Sequence, residues 1–245
     1  LVEREHAITE KLAENPSFLP RISKDSLYDK EKTQYDMEQY QCVAFRSKGD
    51  LWKTYNVDLG NMNGGYAYEM NGIMFPSSEH AYIFGLFSND TEEHKAIQEE
   101  LWAEPRGYNA KRGIRRKYNG VGRQDWNSFN VEWMLYVVWQ KALNNQEFRN
   151  ILMALPQGVH IIEDVSFKPQ DDRGADYWGA RNLKKKEFGK LAKNYAKSLE
   201  LDTKVATNEV EDKLLWDYCN VGTYEGYNVM GKILTLIKQC LHEGI

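Results

Sequence analysis

The sequence predicts an α+β protein, predominantly helical, with one small hairpin-bearing sheet and peripheral helical additions. Three observations predict this class. Asn71-Gly72 separates two short runs rich in alternating apolar residues, 66–70 and 73–75, and Asn-Gly is the preferred pair for a two-residue turn in which both positions need positive φ. Apolar residues recur at helical spacing over residues 130–144 and again from residue 229. The composition, 42% hydrophobic and 28% charged over 245 residues, is that of an ordinary globular chain and argues against wholesale disorder.

The elements follow in chain order. Residues 1–38 are polar and charged, with Pro16 and Pro20 interrupting any long helix, and are read as an N-terminal helical appendage. The main domain is expected over residues 39–245. Its first strand falls at 41–46, where β-branched and aromatic side chains concentrate. After the 66–75 hairpin, Pro76-Ser77-Ser78-Glu79 reads as a helix start, with a serine cap and a glutamate in the first turn. Residues 81–87 are apolar almost all round, so this helix must be buried on most sides. Asp90 or Thr91 caps a short helix running through Leu101. Over 130–144, Val131, Met134, Leu135, Val138 and Ala142 share one helix face. Asn228 is placed to cap a last helix, in which Val229, Ile233, Leu236, Ile237 and Cys240 repeat the pattern. Residues 180–222 form a charged stretch read as a helical insertion, its lysines exposed and Phe188, Leu191, Ala192, Tyr195 and Leu199 on the apolar side.

Charge and cysteine usage narrow the function. The net charge of −4 argues against a generic nucleic-acid coat. Three scattered cysteines make neither a disulfide framework nor a zinc knuckle, so a reducing, cytoplasmic setting is expected. No run approaches the ~18 apolar residues of a membrane helix, and no membrane association is expected. The five histidines lack metal-ligand spacing. Gly226 to Lys232 matches a phosphate-binding loop as far as the lysine. Ile233 then stands where a magnesium-binding hydroxyl is required, so a triphosphatase is not expected. Lys111, Arg112, Arg115, Arg116, Lys117 and Arg123 form a basic run with no acid before Asp125. Such a run suits a solvated face or the grip on a phosphorylated ligand, and Tyr118 and Trp126 nearby fit the second.

Four separated segments, in order, resemble the NADAR (YbiA-like) family of N-glycosidases. They are Leu59-Gly60-Asn61-Met62; Asn71-Gly72 through Pro76-Ser77-Ser78-Glu79-His80-Ala81-Tyr82; Asp125-Trp126 through Met134 to Lys141-Ala142-Leu143; and Tyr177-Trp178-Gly179 with Gly226-Tyr227-Asn228-Val229-Met230-Gly231-Lys232-Ile233-Leu234. Departures mark the chain as a divergent member. Ile83-Phe84-Gly85-Leu86-Phe87 replaces the family's polar and basic helix positions. The acidic residue three before the Trp-Gly tryptophan is Ala175 here, with Asp176 one step later.

The resemblance implies a YbiA-like domain that cleaves a bond between ribose C1 and a nitrogen without metal or cofactor. The expected substrate is an ADP-ribosylated base, in a nucleotide, DNA or RNA. Riboflavin-pathway intermediates, or binding of ADP-ribose without catalysis, are the other readings. Breaking such a bond builds positive charge on the ribose, which calls for a carboxylate near C1. Glu79 is the first candidate and Asp164 and Asp176 the second carboxylate candidates. Trp126 and Trp178 are placed to stack on a base. Arg112 and Arg115 would grip phosphate, Asn228 and Lys232 would contact ribose hydroxyls or phosphate, Asn61 joins the substrate-binding set, and Lys141 is either part of that set or a solvated helix lysine.

Overall fold

The computed structural model describes residues 32–39, 42–45, 59–166, 168–184 and 222–244, with positions 187, 190, 194, 197 and 198. It is an α+β protein in which helices predominate; instead of the one expected sheet, its described residues form three small sheets, the hairpin being one of them. The described residues divide into two compact units. Residues 59–154 and 236–244 belong to one; residues 32–39 and 42–45, with the described residues of 155–235, belong to the other.

In chain order the strands are β1 (Thr33–Asp36), β2 (Cys42–Phe45), β3 (Tyr68–Met70), β4 (Ile73–Phe75), β5 (His160–Glu163), β6 (Arg181–Asn182) and β7 (Thr223–Gly226). The helices are α1 (Ser78–Leu86), α2 (Glu92–Ala103), α3 (Gly107–Asn109), α4 (Arg115–Lys117), α5 (Trp126–Asn144), α6 (Gln146–Ala154), α7 (Arg173–Trp178) and α8 (Val229–Glu243). Between α3 and α4 the chain stays helical but is wound as a π-helix over Ala110–Ile114.

The first unit is built around α1. The hairpin forms as the Asn-Gly pair requires: β3 and β4 pair antiparallel, and Asn71 and Gly72 have φ of 53° and 74°. Its inward side chains, Tyr68, Met70, Ile73 and Phe75, are buried. Ser77 then caps α1, its hydroxyl accepting from the His80 N–H. Every residue of α1 from Ser78 to Gly85 is buried, the apolar stretch from Ala81 as its texture demands and the polar Ser78, Glu79 and His80 with it. Helix α5 packs against α1 and β3. Gly85 permits this closeness, because a Cβ there would overlap the Trp133 indole, whose N–H donates to the Ala81 carbonyl at 3.0 Å. Thr91 caps α2, accepting from the His94 N–H at 3.1 Å.

Helix α5 starts one turn earlier than its apolar pattern suggests. Trp126 draws in the first turn by packing edge-on against Tyr82 and Phe129. Its flank Asp125 does not cap it, because Arg123 holds that carboxylate through two bonds of 2.7 Å.

The described residues of the second unit form two sheets. In one, β7 lies between β1 and β6, antiparallel to both; in the other, β2 and β5 pair parallel in register Cys42↔His160 to Phe45↔Glu163. Strand β1 corrects the helical reading of the chain before residue 39 at these four residues. Tyr35 is buried among polar, less buried neighbours, a period-two pattern that suits an edge strand. Residues 1–31 of that appendage lie outside the described residues, as does most of the 180–222 insertion with its predicted apolar stripe. Glu187, Lys190, Asn194, Lys197 and Ser198 are described there, helical and exposed.

Candidate active site

The first turn of α1 carries the chemistry of the first unit. The Glu79 N–H donates to the Asn61 carbonyl at 2.9 Å, so the loop after Leu59 closes over the helix start. The Asn61 side chain is turned elsewhere, its amide toward the Met134 sulfur at 3.6 Å. His80 is locked at both ring nitrogens. Nε2 lies 2.8 Å from the Glu104 carbonyl, which can only accept, so Nε2 carries the proton and Nδ1 accepts from the Ser77 hydroxyl at 2.7 Å. Burial holds the ring's pKa below the ordinary histidine value, and the Glu104 carbonyl only partly opposes that. His80 therefore braces the helix start as a neutral ring.

Glu79 differs from its neighbour. Its side chain is only 3% exposed, yet one oxygen, Oε1, has no hydrogen-bond partner. The other, Oε2, accepts from the Lys111 ammonium at 3.4 Å, and Lys111 is 41% exposed. A buried carboxylate oxygen without a donor is costly to maintain and rare.

Lys111 reaches Glu79 from a helix laid beside α1. Gly107 starts that helix at close quarters: a Cβ there would come 2.7 Å from the Met62 carbonyl oxygen and 2.9 Å from the Ser77 hydroxyl. One turn later Lys111 meets Glu79, and a further turn on the Arg115 guanidinium lies 5.7 Å from the Tyr82 ring centroid. Between them runs the π-turn, closed by an i→i−5 bond from the Arg115 N–H to the Ala110 carbonyl.

The basic run is thus sorted by its partners. Lys117 pairs with Glu100 at 2.8 Å, and Arg123 is held by Asp125 and by the Ser88 hydroxyl at 2.9 Å. Arg112 and Arg116 are exposed, as is Tyr108, with 62% of its surface accessible. Trp126 is a core residue in an aromatic row, not an open platform. Lys141 is buried too, its ammonium 4.1 Å from the Phe148 ring centroid and 5.2 Å from that of Tyr66. Sequence reasoning did not single out Lys111 as Glu79's partner or Tyr108 as an exposed aromatic. The signal for Tyr108 was its place beside the basic run; no local signal pairs Lys111 with Glu79.

The second unit gathers Asp164, Asp176, Trp178, Asn228 and Lys232, mostly in structural bonds. Asn228 has a φ of 51°, and its side chain turns away from α8 to β5. Its Oδ1 accepts from the Glu163 N–H at 3.0 Å and its Nδ2 donates to the Ile161 carbonyl at 2.9 Å, as a neighbouring strand would. This departs from the expected helix cap. Gly231 lies so close to the Ile161 carbonyl that a Cβ would overlap it, and Gly226 is equally tight on Gly179 and Ala180. The Asn228 N–H donates to the Gly179 carbonyl at 3.1 Å, which brings the two halves of the fourth motif together. Asp176 is engaged by Arg181, whose guanidinium also bonds the Lys168 and Pro169 carbonyls at 2.6 Å. Asp164 is buried, with Oδ1 accepting from the Ser166 N–H at 2.9 Å. Trp178 is half-buried, edge-on to Tyr177 at 5.6 Å. Lys232 is half-buried in the first turn of α8.

Among the described residues no group of three or more His, Cys, Asp or Glu side chains could hold a metal ion, and no helix is long and apolar enough to cross a membrane. No protein-family model matches the chain, and no curated protein matches it.

Proposed function

We propose that this chain is an N-glycosidase that hydrolyses the bond between ribose C1 and a base nitrogen in an ADP-ribosylated base, with Glu79 as its catalytic carboxylate. The observation that carries this reading is the Glu79 side chain: buried, tethered by one oxygen to Lys111, and unpartnered at the other. As the C1–N bond breaks, its electron pair leaves with the base nitrogen and positive charge develops on C1 and the ring oxygen. A fixed carboxylate in a dry setting stabilises that charge more than water does. Water then bonds to C1 and gives up one proton, the base nitrogen takes one up, and the products are ADP-ribose and the unmodified base. The unpartnered oxygen suits the orienting of that water. The exposed Arg112 and Arg116 beside Lys111 suit a pyrophosphate, and Tyr108 offers a ring face for a base.

The test is incubation with ADP-ribosylated guanosine and chromatography of the products. The reading predicts ADP-ribose and guanosine appearing in equal amounts. Tight binding of the substrate with no release of ADP-ribose contradicts it and marks a binding module instead.

A further inference from the structure

We propose that Lys111 is the positioning residue of this site, acting on the reaction through Glu79 rather than on the substrate. Three observations meet at this lysine. First, it is the single cation that pairs with Glu79 among the described residues, and it holds Oε2 while leaving Oε1 open. A carboxylate pinned at one oxygen cannot turn freely about its terminal bond, so the other oxygen keeps a fixed direction. Second, the backbone that carries Lys111 is anchored on both sides of it. Gly107 is pressed against Met62 and Ser77, and Arg115 lies over Tyr82. Glu79 and Tyr82 are three residues apart on α1, so two cations of one segment grip one helix. Third, the residue sits in a π-helical turn, a rare winding that recurs at functional sites. The adjoining basic residues show no such fixing: Arg112 and Arg116 are exposed, and Lys117 pairs with Glu100. Among the described residues, Lys111 alone directs its charge at the Glu79 carboxylate.

The inference rests on the reading of Glu79 as the catalytic carboxylate, and the experiment separates the two. Release of ADP-ribose from ADP-ribosylated guanosine is followed for the wild-type chain and for Lys111→Met, Lys111→Arg and Glu79→Gln, with a thermal melt of each. Lys111→Met is expected to lower kcat by about 10- to 100-fold, the scale of a small misplacement of a catalytic group. KM should stay within about twofold, because a group acting through Glu79 leaves ground-state binding alone. Lys111→Arg should recover most of the lost rate, since it keeps a cation within reach of Oε2. The melts should coincide, Lys111 being half exposed. Wild-type kcat in Lys111→Met overturns the inference, and so does a loss confined to KM. A wild-type chain that releases no ADP-ribose, or an equally active Glu79→Gln, overturns the glycosidase reading itself and takes the inference with it.

Discussion

Two buried polar sites in this protein are built on opposite terms. At Asn228 the amide is satisfied at both ends, by Ile161 and Glu163; Asp176 is held by Arg181, and glycines 179, 226 and 231 let backbones touch. The Glu79 carboxylate is not satisfied at both ends, because one buried oxygen is left without a donor. The Asn228 amide, bonded at both ends, stabilises the fold. The Glu79 site keeps an unused acceptor in a dry place, a local cost that suits a ligand or a reacting water. Residues in the same sequence resemblance can therefore serve either purpose, and only their bonding separates the two.

The largest expected effect is kinetic and falls on one side of the contrast. Glu79→Gln should reduce turnover by ~10²-fold or more while its melting temperature hardly moves, as general acid–base and electrostatic groups do. Asp176→Asn should do the reverse, keeping kcat and lowering the melting temperature by weakening the Arg181 contact. Equal kinetic losses in both would erase the distinction.

Next in size is Asn228→Ala. It strips partners from the Ile161 carbonyl and the Glu163 N–H and places alanine at positive φ, so a loss of about 2–4 kcal/mol is expected. The urea midpoint reads this directly; an unchanged midpoint would show that the amide does not brace β5.

A smaller effect tests the neighbour of Glu79. His80 is held neutral in the folded state by burial, its pKa lowered. The unfolded chain therefore binds the extra proton first, and the stability due to His80 is intact above the ordinary histidine value and lost as pH falls below it. The stability difference between the wild-type chain and His80→Gln should shrink between pH 7.5 and pH 5. A difference that grows on acidification would mean the ring is charged in the fold.

The smallest concerns the π-turn. Gly113 is exposed, and a Cβ there would meet nothing within 4 Å. Gly113→Ala should leave activity alone and raise stability by about 0.5–1 kcal/mol, the usual helix cost of glycine. A loss of activity would show that the turn must flex.

What the sequence made legible was local. The hairpin, a serine cap before Glu79, a cap at Asp90 or Thr91 and the buried face of α5 all follow from spacings of two to twelve residues; all are present, with Ser77 and Thr91 as the caps. What it hid depends on distant partners. Lys141 sits on a helix face that would be solvated but for Tyr66 and Phe148, and Trp126 would be open but for Tyr82. Lys111 lies 32 positions from Glu79, and nothing in the basic run says which of its cations turns inward. The π-winding is hidden as well, since Ala110 and Ile114 carry the same apolar signal in an α-helix. Asn228 looked like a cap because asparagine is common there; the open edge of β5 claims its amide instead.

The central claim is that the unpartnered oxygen of Glu79 faces the reacting carbon. The most direct measurement is a crystal structure of the Glu79→Gln chain with intact ADP-ribosylated guanosine. The account predicts ribose C1, or a water poised on it, within about 3–3.5 Å of the substituted amide, the separation of a near-attack geometry. A ribose bound away from the first turn of α1, with that amide still buried and unvisited, would contradict it.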